Sequence, residues 1–512
     1  MNMANILHII FLFCFIYFAN ANPTTHNQDK TDKEQQYCVQ NIEQDPQILL
    51  EQSLDAKDWA LSNGLVKLIV VTTCPECGKK TEKPNVMTQF SPLSLYPSPF
   101  PRKLFQQAVD VQKAMLLLYF RASCDYEFLK EAHREVLNSE KENRLQNFVS
   151  KLDKMFSEKV RQPVAMFCQR ADYMASENDD GQYELKQVEV NTGAIGCFAI
   201  ASRFPRLHRR MVSNAGIDAS ESVMPSDQTD TMVAETLYQA WLEFGNAEAV
   251  ILFLHGNSNS HLMLESRQIQ HQFERISTEG IKCRFITITE GLNRLKRDPD
   301  NFSLILDDKF VVAVVFDRLG GVLSKEELDL NIEIDRSTAI VFTKPGMVEK
   351  FFNNPEEEHM AEAIRKVQTK GWAIGKDEDL TEDIIKKATE NPHRYVLKNN
   401  GCKLMREDIF FNENIPKKLE SMEPVDRDFF YLTEKLRPMV VKNHFIRPNM
   451  EPALNVDATP ELGIFGCLIG NTETGKVSYF SRTGHMMKTK LASVDEGGVW
   501  KGYSVGDSPY LV

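Results

Sequence analysis

Leu185-Lys-Gln-Val-Glu-Val-Asn191 alternates as a half-buried strand does. Strict alternation predicts Lys186, Val188 and Val190 on one face and Gln187, Glu189 and Asn191 on the other. A carboxylate and an amide oxygen two residues apart then point the same way, roughly 7 Å apart along the strand. Such a pair of hard oxygen donors suits Mg²⁺, which proteins hold through one or two oxygens beside waters and nucleotide phosphates. Spacing alone leaves a second reading open, the wet polar face of an edge strand.

The chain around this stretch has 512 residues, enough for two or three packed units, with 42% hydrophobic and 26% charged residues. A net charge of −12 offers no basic footprint for nucleic acid or anionic lipid, so neither is expected as a partner. The apolar run Ile9 to Phe18 ends in Ala19-Asn-Ala21, which reads as a signal peptide (1–21) cleaved after Ala21 and predicts a secreted chain with no membrane attachment. Of ten cysteines Cys14 would leave with the signal, and the odd remainder is scattered rather than arranged as a disulfide scaffold. Cys74-Pro-Glu-Cys77 reads as a loop disulfide or free thiols, and Asn301-Phe-Ser303 is a glycosylation sequon.

The polar segment 22–44 reads as a disordered leader. Asp45-Pro46 opens a helix with apolar Ile48, Leu49, Leu54, Trp59 and Leu61, stopped by Asn63-Gly64. A proline-studded connector, Phe90 to Pro101, precedes helices expected over Arg102 to Phe120 and much of Glu127 to Glu158. Residues 45–223 form the N-terminal part of a core in this reading. Residues 224–335 alternate helix and strand, with apolar runs at Ala249 to Leu254, Cys283 to Ile288 and Phe310 to Phe316 and a helix from His261 to Thr278. That pattern predicts a parallel sheet covered on both faces. Residues 336–512 carry a helical, lid-like stretch from Met347 to Ala388 and strands at Arg394 to Leu397, Phe429 to Leu432, Leu462 to Ile469 and Val477 to Phe480. No G-x-G-x-x-G fingerprint supports a dinucleotide site.

Several separated motifs share one resemblance. Arg170-Ala-Asp-Tyr-Met174, the 185–192 stretch, Ala201-Ser-Arg203, Glu461-Leu-Gly-Ile-Phe-Gly466, Gly484-His485, Lys488-Thr-Lys490 and Gly497-Gly-Val499 together resemble eukaryotic glutathione synthetase, in order and at similar spacing. The resemblance implies an α/β ATP-grasp fold with an inserted parallel α/β substrate-binding domain and a helical lid. It implies ligation of γ-glutamylcysteine to glycine with ATP and Mg²⁺ as cofactors, and raises the family's two-fold dimer. Glu189 and Asn191 would hold Mg²⁺. Arg170 would grip the γ-glutamyl donor, and Lys488 would act with it as a catalytic cation. Glu189, Lys398, Glu434, Glu461 and Lys490 would line the nucleotide cleft, and Val499 and Trp500 would border the acceptor.

The chain departs from the family at the phosphate loops and the acceptor. Lys398 is followed by Asn399-Asn-Gly-Cys-Lys403, with one glycine where the family has three and no carboxylate before Leu404. A lysine-bearing segment of the family is shortened here to Thr338 to Thr343. Lys488 replaces an arginine, so a bidentate fork becomes a point charge, and Trp500 replaces an alanine. Ala194 and Gly196 stand for serines, and Phe316-Asp-Arg-Leu-Gly320 alters the segment that bears a donor-site arginine. Two readings follow: a carboxylate–amine ligase with degraded ATP loops and an altered amine acceptor, or a non-catalytic secreted binder, effector-like, of a γ-glutamyl peptide or host protein. A third, a γ-glutamyl hydrolase or transferase, lacks a nucleophile–base pair.

Overall fold

The computed structural model describes residues 45–73, 80–132, 163–192, 195–256, 262–278, 280–300, 303–318, 341–375, 381–399, 409–423, 426–427, 430–494 and 504–512. The readings for the signal peptide, leader, Cys74–Cys77 pair, sequon asparagine Asn301, the loop from Asn400 to Lys403, Val499 and Trp500 lie outside these residues.

An eight-stranded sheet organises the molecule. The long strand Ala453–Asn471 runs through its middle, antiparallel to Val164–Glu177 on one side and Gly484–Leu491 on the other. Tyr183–Thr192 follows Val164–Glu177 and forms the sheet edge. On the other flank lie Ser504–Asp507, Leu93–Ser94 and Val441–Ile446, the last returning to pair with Ala453–Asn471. Alternation divides the central strands between two cores. Ala171, Tyr173, Leu462 and Ile464 pack with the helix Arg102–Cys124, whereas Phe465, Cys467 and Cys168 pack with the helices Arg203–Asn214 and Thr229–Phe244.

Glycines permit this close layering. A Cβ at Gly466 would sit 2.7 Å from Leu116 of the long helix, and one at Gly506 would sit 1.9 Å from Cζ of Phe204. Phe204 is fully buried, so its ring has nowhere to yield. Gly506→Ala is therefore expected to cost about 1–3 kcal/mol through overpacking. A lowered urea midpoint would show it; an unchanged midpoint would refute the clash.

Some elements differ from expectation. Asp45 caps the first helix, Pro46–Ser62, by accepting from Gln47 N–H at 2.8 Å, and Gly64 ends it at φ +74°. The buried face, however, is Leu49, Ser53, Ala56 and Ala60, while Ile48, Leu54 and Leu61 face outward. Small residues pack this helix closely; of the five apolar residues expected on it, Leu49 and Trp59 meet the core and the other three do not. The connector also supplies two short strands, Leu93–Ser94 and Ser98–Phe100, the latter parallel to Pro509–Leu511. Buried Asp507 anchors this seam, accepting from Ser98 Oγ and Thr489 Oγ1, both at 2.6 Å.

The second sheet has three parallel strands, Cys283–Thr287, Val250–His255 and Phe310–Arg318, as the apolar runs predict. Two further strands, Leu304–Leu306 and Leu295–Arg297, extend it antiparallel. The lid-like stretch is interrupted: helices Glu358–Val367 and Thr381–Glu390 flank a strand, Gly371–Ala373. That strand joins Phe430–Glu434, Tyr395–Asn399 and Ile409–Phe411 in a four-stranded antiparallel sheet with its own core. Asn399 thus belongs to a strand rather than to the following loop. Among the described residues no helix is long and apolar enough to cross a membrane.

Candidate active site

The strand 183–192 keeps Glu189 and Asn191 on one face but breaks the alternation before them. Asp172 lies opposite Glu189 and Tyr173 opposite Gln187, so Val188 is an extra residue, a bulge. Leu185 and Val190 consequently share one core although their spacing is odd. Gln187 does not join Glu189's face as strict alternation requires. It lines, with Val188, a cavity of about 70 Å³ beside Met115, Leu118 and Tyr119. Lys398 and Thr433 of the lid sheet line the same cavity, so that sheet and the bulged edge strand meet over it.

On the other face, cross-strand neighbours build a buried charge cluster. Asn191 lies opposite Arg170, Arg170 opposite Phe465, Asp172 opposite Gly463, and Glu461 opposite Lys488. Asp172, fully buried, is the hub. It accepts from Arg170 Nε at 2.7 Å and Arg170 NH2 at 3.0 Å, from Asn191 Nδ2 at 2.9 Å and from Lys488 Nζ at 2.9 Å. Lys488 Nζ also lies 2.6 Å from Glu461 Oε1. A Cβ at Gly463 would meet Asp172 Oδ1 at 2.7 Å and Arg170 Cδ at 2.9 Å, so the glycine of the Glu461 to Gly466 motif makes room for this ion pair.

Electrostatics follows from burial and pairing. Burial alone would raise the Asp172 carboxyl, but Arg170 and Lys488 outweigh it and hold it below its ordinary value. Burial likewise opposes the charge on Lys488, and Asp172 and Glu461 overcome it, keeping the ammonium protonated. The Glu461 carboxyl is pushed up, chiefly by burial and further by Asp172 and Glu189, against the pull of Lys488. Cys197, with a left-handed φ of 75°, donates its N–H to Glu265 at 3.0 Å, and burial lifts its thiol to about 12.

The structure therefore brings together Arg170, Glu189, Asn191, Glu461 and Lys488. Lys490 lies two residues beyond Lys488 on the same strand, opposite Thr459. Glu434 ends its strand opposite Tyr395, its N–H donating to Lys370 O at 3.1 Å, on the lid sheet rather than in the charge cluster. Sequence reasoning missed Asp172. Its signal was the i, i+2 spacing from Arg170 on a strand, which places both side chains on one face.

Asp172, Glu189 and Glu461 each bring a carboxylate oxygen within 4.8 Å of the others. That oxygen-rich donor set fits Mg²⁺. Asn191 donates from its amide nitrogen to Asp172 at 2.9 Å, so its amide oxygen is the atom it would offer an ion beside Glu189.

Comparison with known proteins places this geometry. Residues 47–511 match the family described as eukaryotic glutathione synthase, ATP binding domain. The chain is 27% identical to glutathione synthetase of Xenopus laevis, over 92% of this chain and 99% of that protein. It is 25% identical to the Dictyostelium discoideum enzyme, over 89% and 97% respectively. Among solved structures, a glutathione synthetase-like effector from Globodera pallida, in its apo form, is 70% identical with a TM-score of 0.75, covering 93% of this chain and all of that one. The chain is a member of the eukaryotic glutathione synthase family, with its ATP-grasp-type α/β fold.

Proposed function

We propose that this chain is a secreted, glutathione synthetase-like protein whose site takes a γ-glutamyl peptide donor and retains an ATP-dependent carboxylate–amine ligase floor, with weakened nucleotide loops and a changed amine acceptor. The observation that carries this reading is the buried cluster in which Glu189, Asn191 and Glu461 stand beside two cations fixed by one carboxylate, Asp172. Bound Mg²⁺ would neutralise phosphate charge. The chain's own residues supply the rest. Arg170 and Lys488 offer positive charge to the donor's carboxylates, and Asp172 fixes both heads in advance, so little reorganisation is left for the moment of reaction. Lys398 lies on the lid sheet and lines the cavity beside Gln187 and Val188, on the sheet face away from the charge cluster, so it would reach a phosphate over the floor only if the lid sheet moved.

A second reading, a non-catalytic binder or effector of a γ-glutamyl peptide or host protein, is favoured by the single glycine in Asn399 to Lys403 and by Trp500 at the acceptor position. The 70%-identical relative described as an effector supports it too. Phosphate release separates the two. With Mg-ATP and γ-glutamylcysteine, the ligase reading expects release that depends on the donor and is faster with another amine than with glycine. No calorimetric heat with Mg-ATP, but heat with a γ-glutamyl peptide, would sink it in favour of the binder. Secretion is tested separately: the protein recovered from medium should begin at Asn22.

A further inference from the structure

Cys168 and Cys467 lie directly opposite each other on the neighbouring strands Val164–Glu177 and Ala453–Asn471. In an antiparallel ladder a residue's N–H and C=O point to the same side. Both of these groups on Cys467 are spent away from Cys168: its N–H donates to Ser481 Oγ at 2.8 Å, and its C=O accepts from Ser481 N–H at 2.9 Å. The cysteines therefore form a non-hydrogen-bonded pair, the class in which Cα atoms approach to about 4.5 Å and side chains stand closest. That separation falls within the range a disulfide spans, roughly 4.4–6.8 Å. The two thiols already lie within hydrogen-bonding reach of each other.

We propose that Cys168 and Cys467 are a disulfide site, closed when the chain folds under oxidising conditions. Two S–H bonds break and one S–S bond forms; both protons and both electrons pass to a low-molecular-weight disulfide, which leaves as two thiols. One of the two cysteines makes the mixed disulfide, releasing one small thiol, and the other displaces the second small thiol from it. Because burial raises the Cys467 thiol well above its ordinary value, the exchange belongs to folding, before the core shuts. The bond joins strands almost three hundred positions apart in the chain, so it removes much unfolded-state freedom. It also sits on the same face as Arg170, Asp172 and Glu461, two residues from Arg170, and pins together the strands that carry the charge cluster. The site stands independently of the ligase reading.

The test uses the full chain, reduced in urea, refolded in a cystine–cysteine buffer, alkylated and digested without reduction. The expected product is one linked peptide containing Cys168 and Cys467, two hydrogens lighter than its halves. Recovery of both residues alkylated, or of either linked to another cysteine, overturns the proposal. A dithiol reductant should also lower Tm of the oxidised chain by several degrees and leave the C168A/C467A double variant unmoved; equal sensitivity of the two proteins would overturn it as well. If the double variant does not fold, the peptide map decides alone.

Discussion

Asp172→Ala is expected to destabilise the chain by about 3–5 kcal/mol, the usual consequence of stripping the partner from a buried ion pair. Asp172 has no solvent exposure and accepts from two cations and an amide, so its loss leaves Arg170 and Lys488 desolvated and close together. Each already sits where burial opposes its charge. Glu461 still faces Lys488, but nothing replaces the bidentate acceptor of Arg170. Asp172→Asn keeps the shape and some hydrogen bonding while removing the charge, so its cost should lie between wild type and alanine. Urea unfolding of the three proteins checks the order. An alanine variant within about 1 kcal/mol of wild type would mean that water or Glu189 substitutes for Asp172, and that the hub is dispensable.

The parts of this site that sequence could disclose are those with a local period. Glu189 and Asn191 share a face because they are two residues apart, and that held even though the bulge at Val188 moved Gln187 to the cavity side. A bulge has no reliable one-dimensional signature, since it is set by pairing with Asp172 and Tyr173 on another strand. The parallel strands at 250–255, 283–287 and 310–318 were legible as apolar runs, although only the central one, 250–255, is buried nearly throughout; 283–287 is mostly half-buried and Val315 is 41% exposed. The short strands at 304–306 and 295–297 were not, being three residues each. The first helix shows the opposite failure. Its buried stripe is mostly Ser and Ala, selected by close packing, so counting large apolar residues pointed at Leu54 and Leu61 on the outside. Pairings such as Lys488 with Glu461 and Asp172 depend on register across strands separated by hundreds of residues, which motif spacing does not encode.

Stability should fall steeply as the pH drops below about 6.5, because three buried histidines resist protonation in the folded chain. His208 places its two ring nitrogens against Ser94 O at 2.9 Å and Ser508 Oγ at 2.7 Å, which suits the neutral ring with Nε2–H donating to the carbonyl. Burial lowers its pKa, and Asp507 and Ser94 only partly restore it. His444 Nδ1 accepts from Asn455 N–H at 3.0 Å, a bond that protonation destroys, and burial lowers this ring to about 4. His485 is lowered by burial too, against the opposing charge of Asp227. For a group depressed in the folded state, the unfolded chain takes the proton first, so the stabilisation is whole above the unfolded value and is lost as pH falls toward the folded one. His444 contributes up to about 1.4 kcal/mol per pH unit between the ordinary histidine value and about 4, and His208 and His485 act in the same direction. Glu461 works the other way: its raised carboxyl gains a proton more readily in the folded chain and offsets part of that loss. Asp172 is lowered instead, so its share is lost only below the ordinary carboxylate range, outside this window. The net expectation is a urea midpoint that falls as the pH drops from about 6.5 towards 4.5. His444→Gln should flatten the slope by up to about 1.4 kcal/mol per unit, the share of that one ring. A wild-type profile flat from pH 7 to 5 would show that the folded chain admits these protons and that burial does not govern the rings.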